Sequence, residues 1–271
     1  MAWRVTSDLR LNFAILYPLL LQVAHPTIDA GVTDYSDFDR KPWDRLLRTM
    51  DYVSVLVYGG REAVAAGRRL RALHKRFRGT RADGTRYSAL EPEAYAWVHA
   101  TLLDTYVRGH ALFGTPMSAA DTERFYGEYR GLGRLIGVRE RDLPRTWPQF
   151  CAYFRRTART MLTRTASVDR VLDTMGHADA PPMPISGRLW PAIKVPIRRA
   201  VWLGGVGLLE PDVRRRLGLR WTPIDAVQLR VLGVVSRGLG SMMPAAWKVT
   251  GPEHLRWRSA QIGAGPLGRA A

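Results

Sequence analysis

The sequence predicts an all-α fold, a multi-helix bundle, and two observations support this prediction. Apolar residues recur at helical spacing along most of the chain. No stretch alternates apolar and polar residues for long enough to indicate a paired strand, so no hairpin is expected. With 46% hydrophobic and 10% aromatic residues among 271, the chain can bury a sizeable core in one large domain or two small ones.

The first apolar segment, Leu11 to Ala24, is expected to be a buried helix. It is interrupted by Asn12, Pro18 and Gln22 and is too short to span a bilayer. No small-residue cleavage motif follows it, so we expect it to belong to the folded core rather than to a signal peptide. An interfacial helix is the second interpretation.

The following helices are predicted from apolar stripes at 3.6-residue spacing. The stripes are Leu46, Leu47, Met50, Val53 and Val57, then Leu70, Leu73 and Phe77, then Tyr95, Val98, Leu102 and Tyr106. Gly59-Gly60 ends the first helix, and a loop from Gly79 to Pro92, with its turn at Asp83-Gly84, precedes the third. Two more helices are expected over residues 121–137 and 147–175.

The domain organisation is predicted from a proline-rich stretch. Residues 176–187 contain three prolines and are expected to link a helical core, residues 1–175, to a C-terminal helical part, residues 188–271, that packs on the core. Alternatively, the same stretch wraps a single domain of residues 1–271.

The charge is strongly basic. The formal net charge is +17, and all but four of the 41 basic residues are arginine. Because these charges are spread over the whole chain, they argue against nucleic acid as a partner and leave contact with an anionic membrane surface open. Solvated helix faces explain them equally well. A single cysteine, Cys151, excludes an internal disulfide framework and any cysteine-based zinc or iron–sulfur site within the chain.

Candidate functional residues begin with one helix face. Arg45, Arg48 and Thr49 lie at i, i+3 and i+4 and therefore share a side of their helix. His74 follows on the next apolar helix and is either a partly buried structural histidine or an axial haem ligand, for which one imidazole suffices. A guanidinium, a hydroxyl and an imidazole among apolar helices suit an anionic, metal-bearing cofactor such as haem.

Two further histidines have two interpretations each. His25, before Pro26, either caps a helix end or lies with Asp29 on the distal side of a cofactor. His99 is the alternative iron ligand or a packing residue. A cluster of aspartates would offer oxygen ligands to a hard cation, but its spacing fits no calcium loop, and turn and capping roles are preferred. These aspartates are Asp29, Asp34, Asp37, Asp39 and Asp44.

The order of these residues resembles the MpaB-type oxygenases, whose catalytic domain is shared with the latex-clearing protein, a bacterial rubber oxygenase. The resemblance covers most of the chain, and it is the order and spacing of the motifs that are specific to the family. The matching positions are His25-Pro26, Gly31-Val32, Ser36, Phe38, Arg45, Arg48, Thr49, Tyr58-Gly59, His74, Gly79, Gly84, Tyr87, Ala89, Pro92, Trp97-Val98-His99, residues 207–221 and Met243-Pro244.

The resemblance implies a globin-like core around one haem b, with His74 as the axial iron ligand. Arg45 and Thr49 would hold the cofactor. Arg48 and Thr49 would be catalytic, together with His25 and Asp29, although the rubber oxygenase has a lysine where this sequence has Arg48. Arginine stays charged under all ordinary conditions, so it cannot act as a neutral base.

The expected function is that of a haem-dependent oxygenase, which uses dioxygen on an apolar, isoprenoid or lipid-like substrate. The alternatives are a non-catalytic helical protein that binds haem or lipid, and a basic adaptor on a membrane surface or on nucleic acid. A cytoplasmic location is expected, with membrane-peripheral contact as its variant. The sequence makes no prediction of oligomeric state.

Overall fold

The computed structural model describes residues 1–81, 83–177, 190–242 and 251–262. Thirteen α-helices and one short hairpin occur in these residues, which confirms the all-α prediction; the globin-like character of the core stays a prediction. The helices are α1 (Ala2–Thr6), α2 (Leu16–Val23), α3 (Pro26–Tyr35), α4 (Pro42–Tyr58), α5 (Glu62–His74), α6 (Pro92–Leu112), α7 (Ala119–Ile136), α8 (Trp147–Thr160), α9 (Ala166–His177), α10 (Trp190–Gly207), α11 (Pro211–Arg216), α12 (Pro223–Met242) and α13 (Gly251–Ile262).

The centre of the core is α6, which packs against α2 and α7. It begins at Pro92, where the fixed φ of proline suits a first helical turn and the missing N–H is not needed. Trp97 of this helix is fully buried, and its indole N–H donates to the Leu21 carbonyl of α2 at 2.9 Å. Residues on several sides of α6 are buried, as expected for a helix enclosed by others.

A helical hairpin of α4 and α5 packs on this core and carries Arg45 and His74. Gly59 and Gly60 connect the two helices, and Gly60 adopts a φ of +54°, a conformation that glycine takes without a steric cost. The other side of α5 packs against α7, and α13 packs against α4. The hairpin is therefore held by α7 through α5 and by α13 through α4.

The N-terminal apolar segment is buried as predicted but is not one helix. A 3₁₀ helix over Leu9–Ala14 precedes α2, and most apolar side chains of both are buried. Within the described residues, no single helix has the length and hydropathy of a membrane span. Leu9–Val23 and Pro26–Tyr35 reach those values only as a pair bent by 100°.

The expectation of no hairpin was wrong. Strands β1 (Arg78–Thr80) and β2 (Arg86–Ser88) pair in antiparallel register within the loop predicted from Gly79 to Pro92. The turn is the one expected at Asp83-Gly84, because Gly84 has a φ of +82° and the Asp83 carboxylate accepts a hydrogen bond from the Thr85 N–H. Three-residue strands are too short for alternation to be visible in the sequence.

The helix expected over 147–175 is divided into α8 and α9. Residues between them bond to the end of α2 instead of continuing a helix: the Thr163 N–H donates to the Ala24 carbonyl at 3.0 Å, and the Thr165 hydroxyl donates to the Val23 carbonyl at 2.7 Å. These bonds satisfy the free carbonyl groups at the C-terminal end of α2, a tertiary contact that helical periodicity cannot predict.

The predicted boundary between residues 1–175 and 188–271 stays a prediction, because most of the proposed linker lies outside the described residues. The C-terminal helices do pack on the core, since α10 contacts α2 and the 3₁₀ helix before it. Gly204 and Gly205 make this contact close: a Cβ atom at Gly204 would overlap the Phe13 carbonyl oxygen. Met243-Pro244 also lies outside the described residues.

Candidate functional site

Three residues of the site predicted from the sequence lie on α4, and two of them contact each other. The Arg45 guanidinium Nη1 donates to the Thr49 hydroxyl at 3.3 Å, and that hydroxyl donates to the Arg45 backbone carbonyl at 3.1 Å. This pairing follows directly from their i, i+4 spacing. Thr49 therefore orients Arg45.

The Arg45 side chain is exposed, although neighbouring protein atoms partly desolvate its guanidinium. Burial lowers its pKa below the ordinary value, and the positive charge of Arg48 acts in the same direction, against an opposing effect of Asp37. A cation in such a place favours an anionic partner.

Arg48 is exposed as well. Its guanidinium forms an ion pair with Asp44 at 2.9 Å and approaches Asp37 at 4.0 Å, and about half of its side chain is exposed. The shared helix face predicted from the sequence is thus correct in geometry, and the two guanidinium groups differ in their partners: Thr49 for Arg45 and Asp44 for Arg48.

His74 ends α5, and its ring orientation is fixed. Nδ1 lies 2.8 Å from the Leu70 carbonyl oxygen, so Nδ1 carries the proton and donates. Nε2 is then the unprotonated nitrogen; no described residue forms a hydrogen bond with it, and it is not enclosed by protein. Burial lowers the pKa of His74, and the Arg45 charge lowers it further. The imidazole is therefore neutral near pH 7.

Aromatic rings hold this imidazole in place. His74 makes edge-to-face contacts with Phe77 and Tyr95, with ring centroids 5.7 and 5.6 Å apart. Phe77 in turn stacks on Tyr35 at 4.7 Å, and the Tyr95 hydroxyl donates to the Ile136 carbonyl at 2.9 Å. The ring therefore has little freedom to rotate.

Two features of this region suit a haem. A ligating histidine commonly donates its second ring nitrogen to a carbonyl, which leaves the other nitrogen for the metal, and His74 has that arrangement. Arg45 supplies a partly desolvated cation within electrostatic range of it. The residues present therefore fit the cofactor that the sequence suggested.

His25 lies in a separate buried cluster at the start of α3. Its Nδ1 accepts a hydrogen bond from the Thr27 N–H at 3.3 Å and so caps the helix, the structural interpretation offered above. The Thr27 hydroxyl is bonded to Arg81 and, at 3.3 Å, to Glu91. His25 Nε2 and Arg81 Nε are both buried without a partner among the described residues.

The His25 ring is neutral near pH 7, because burial, aided by the Arg81 charge, lowers its pKa to about 4. Since Nδ1 accepts a bond, Nε2 carries the proton. His25 Nε2 and Arg81 Nε are thus two buried N–H donors without a partner among the described residues, and the Arg81 charge acts on the His25 ring. A buried oxygen acceptor, such as a water molecule, would satisfy them.

Asp29 and His99 are engaged elsewhere. The Asp29 carboxylate accepts from the Ser167 N–H at 3.0 Å in the first turn of α9, a capping role. His99 Nε2 donates to the Tyr129 carbonyl at 2.9 Å, its ring stacks on that of Tyr129 at 4.6 Å, and burial lowers its pKa to about 4. Within the described residues, no hydrogen bond or ion pair joins either of them to Arg45 or His74.

The aspartate cluster divides into separate contacts. Among the described residues, no group of three or more His, Cys, Asp or Glu side chains is arranged to hold a metal ion. This does not bear on haem, whose iron needs a single axial side chain. Asp34 accepts from the Tyr87 hydroxyl, and Asp39 pairs with Arg170 at 3.1 Å. These pairing roles were not predicted, whereas the capping role expected for the cluster is found at Asp29.

Sequence reasoning missed Arg81, Leu70 and a buried pair formed by Asp51 and His254. The contact with Leu70 could have been predicted, because a histidine side chain in a helix can reach the backbone carbonyl of residue i−4, which is Leu70 for His74. Arg81 had no local signal, since its partner Thr27 is 54 positions away. His254 bonds through Nε2 to Asp51 at 2.8 Å and so ties α13 to α4.

A comparison with protein families gives one match. A family model described as "ER-bound oxygenase mpaB/B'/Rubber oxygenase, catalytic domain" matches residues 3–238. The match covers the α4–α5 hairpin and α10 to α12, apart from the last residues of α12. No curated protein and no solved structure shows a significant match to the chain.

Proposed function

The chain belongs to the mpaB/B'/rubber oxygenase catalytic-domain family, and from that premise we propose that it is a haem-dependent oxygenase of an apolar, isoprenoid or lipid-like substrate. Family membership assigns it to the oxygenases, and so to oxidoreductases that use dioxygen and a substrate. The haem, the substrate class and the roles of individual residues are the proposal.

One observation carries the choice of haem. His74 donates from Nδ1 to the Leu70 carbonyl and leaves Nε2 without a hydrogen-bond partner among the described residues. A neutral imidazole held in one tautomer is ready to bind a metal without first losing a proton. Phe77 and Tyr95 keep the ring in that orientation. His74 is therefore proposed as the axial ligand, and His99 stays the alternative, because its ring is buried and stacked on Tyr129.

Arg45 and Thr49 are proposed to hold the cofactor. Haem b carries two propionates, and a partly desolvated guanidinium pairs with a carboxylate more strongly than a fully solvated one does. Thr49 fixes the guanidinium through the 3.3 Å bond. When bound, the haem would supply the redox chemistry with dioxygen.

Arg48 is proposed as the charged group on the dioxygen side. Its pair with Asp44 is exposed, and such pairs cost little to break. The guanidinium is thus free to turn toward a bound substrate and donate hydrogen bonds. His25 stays a proposed polar group of the interior because its Nε2–H has no partner among the described residues. Asp29, which caps α9, is the weakest member of the proposed set.

The test is a visible spectrum followed by oxygen uptake. Freshly purified protein, or protein reconstituted with haemin, is expected to show a Soret band, and His74→Gly should lose most of it while keeping its helical circular dichroism. Added imidazole should restore the band by entering the space left by the ring. The exposed His177 offers a control, since His177→Gly should retain the band.

Failure can be recognised at each step. If the wild-type protein binds no haemin, the proposed cofactor is wrong, whatever the family. If His74→Gly keeps its band and His99→Gln loses it, His99 is the ligand. Oxygen uptake is measured with emulsified squalene and with a saturated alkane. If the protein binds haem but takes up no oxygen with either compound, the alternative of a non-catalytic haem-binding protein would be favoured.

A further inference from the structure

Helix α12 carries an apolar stripe that faces solvent. Seven large apolar side chains of this helix are 47% to 82% exposed, and they are Ile224, Val227, Val231, Val234, Val235, Leu239 and Met242. At 100° per residue they fall within an arc of about 140° along one side of the helix, an arc that also contains the exposed Gln228. The opposite side is buried, for example at Leu229 and Ser236.

Isolated apolar residues on a surface need no explanation, but a continuous stripe does. The stripe extends for about 27 Å at 1.5 Å per residue. Helix α12 is also firmly attached to the rest of the protein, so its exposed side does not result from weak packing. The Ser236 hydroxyl donates to the Phe113 carbonyl at 3.0 Å, and Arg237 donates to the Leu112 carbonyl. The helix is anchored on one side and bare on the other.

Among the described residues of α10 and α12, the exposed charged side chains are positive. Arg230, exposed on α12, borders the apolar arc. The helix has one acidic residue, Asp225, which is 7% exposed and neutralised by Arg199 and by hydrogen bonds from Thr222. The neighbouring α10 carries Lys194, Arg198 and Arg199, with no acidic residue, and exposes Val195 at 64%.

We propose that the α12 stripe docks this protein on an anionic lipid bilayer, with the helix lying parallel to the membrane surface. An exposed apolar face bordered by cations is the pattern of interfacial helices, whose apolar side chains enter the headgroup region while the cations attract anionic lipids. A second copy of the chain is a poorer occupant. Pairing two stripes would bring the cations of both copies together, on a protein whose formal net charge is already +17.

The test is cosedimentation of the full chain with vesicles. The protein is expected to bind vesicles of phosphatidylserine and phosphatidylcholine in equal parts and to bind pure phosphatidylcholine weakly. Val231→Gln/Val234→Gln should lower the partition coefficient at least about tenfold, because it removes two apolar side chains that the bilayer would bury and leaves the charge unchanged. Arg230→Gln should lower it about fivefold.

Arg141→Gln is the control for general electrostatic attraction. It removes the same charge from an exposed position in the 3₁₀ helix Glu140–Asp142. That helix follows α7, whose end contacts Tyr95 near the start of α6, whereas α12 contacts the other end of α6 at Leu112. Partitioning should change by less than about twofold.

Three results would overturn the proposal. One is wild-type protein that stays in the supernatant with anionic vesicles. Another is an equal loss in Arg141→Gln and in the valine variant. The third is light scattering, without lipid, that shows a dimer in the wild type and a monomer in Val231→Gln/Val234→Gln. All substituted residues are exposed, so unchanged melting temperatures verify that each variant folds. The outcome is independent of whether the protein binds haem.

Discussion

Arg45 and Arg48 lie almost one helical turn apart on α4, but their guanidinium groups have different surroundings. Arg45 is exposed but partly desolvated at its guanidinium, bonded to Thr49 and close enough to His74 to lower the pKa of that ring. Arg48 is exposed and paired with Asp44. Their spacing predicted a shared face correctly. It could not predict desolvation, because the surroundings of each group depend on what packs against α4.

We predict different outcomes for the two arginines. Arg45→Ala should reduce haem retention, because a propionate would lose its partly desolvated partner. Arg48→Ala should retain haem and should change the free energy of unfolding by less than about 0.5 kcal/mol, because it removes only an exposed ion pair. It should nevertheless lose most oxygen uptake. Haem content by pyridine haemochrome and oxygen uptake with squalene measure both effects.

Two results would contradict this assignment. Equal haem loss in both variants would mean that Arg45 has no special role in holding the cofactor. Unchanged oxygen uptake in Arg48→Ala would leave Arg48 as a surface residue that merely pairs with Asp44. Arg45→Lys adds a useful comparison, because it keeps the charge but cannot form the two parallel hydrogen bonds of a guanidinium.

At the scale of elements, α5 holds His74 in position through a glycine. Gly67 lies against α7, where a Cβ atom would overlap the Leu135 carbonyl oxygen. We predict that Gly67→Ala forces α5 away from α7, destabilises the protein by roughly 1–3 kcal/mol and weakens haem retention by displacing His74. Thermal melting and the Soret band measure the two effects.

Gly127 on α7 is the matched control. No heavy atom lies within 4 Å of the place where its Cβ would be, so Gly127→Ala should stabilise the helix by up to about 1 kcal/mol through its higher helix propensity. A Gly67→Ala protein as stable as Gly127→Ala would mean that the two helices can separate without cost.

Helix α13 is tied to α4 by a buried His–Asp pair. The His254 and Asp51 side chains are 8% and 6% exposed and 2.8 Å apart. The chain also contains an exposed counterpart, His177 and Asp173, which are 81% and 76% exposed. We predict that His254→Ala costs about 1–3 kcal/mol because it removes a partner from a buried carboxylate, whereas His177→Ala is nearly neutral. Chemical denaturation of both variants would measure this difference, and equal effects would contradict it.

The sequence predicted most helices because their apolar stripes and end signals are local. Gly59-Gly60 and Pro92 bound helices where expected. It failed where a distant partner decided the outcome: residues 161–165 break a helix in order to bond with the end of α2. The same limit applies to the site. His74 and Leu70 are related by helical spacing, but His25 and Arg81 meet only in the folded chain.

At the scale of the whole molecule, burial of neutral histidines couples folding to pH. His25 and His99 are 1% and 5% exposed, and burial is the first cause that lowers the pKa of each to about 4. In the unfolded chain both rings titrate near 6.5. Between these values the unfolded state binds more protons than the folded state, so stability decreases as the pH falls.

We therefore predict that the free energy of unfolding is fully developed above about pH 6.5 and decreases toward pH 4. Each histidine contributes at most about 3 kcal/mol over that interval, with a slope of up to about 1.4 kcal/mol per pH unit. Urea denaturation at a series of pH values measures the slope. His25→Asn is the informative variant because asparagine can still cap α3 but cannot titrate. Its slope between pH 6 and 5 should be smaller by up to about 1.4 kcal/mol per pH unit, the contribution of one proton. An unchanged slope would mean that His25 binds its proton equally in the folded and unfolded states.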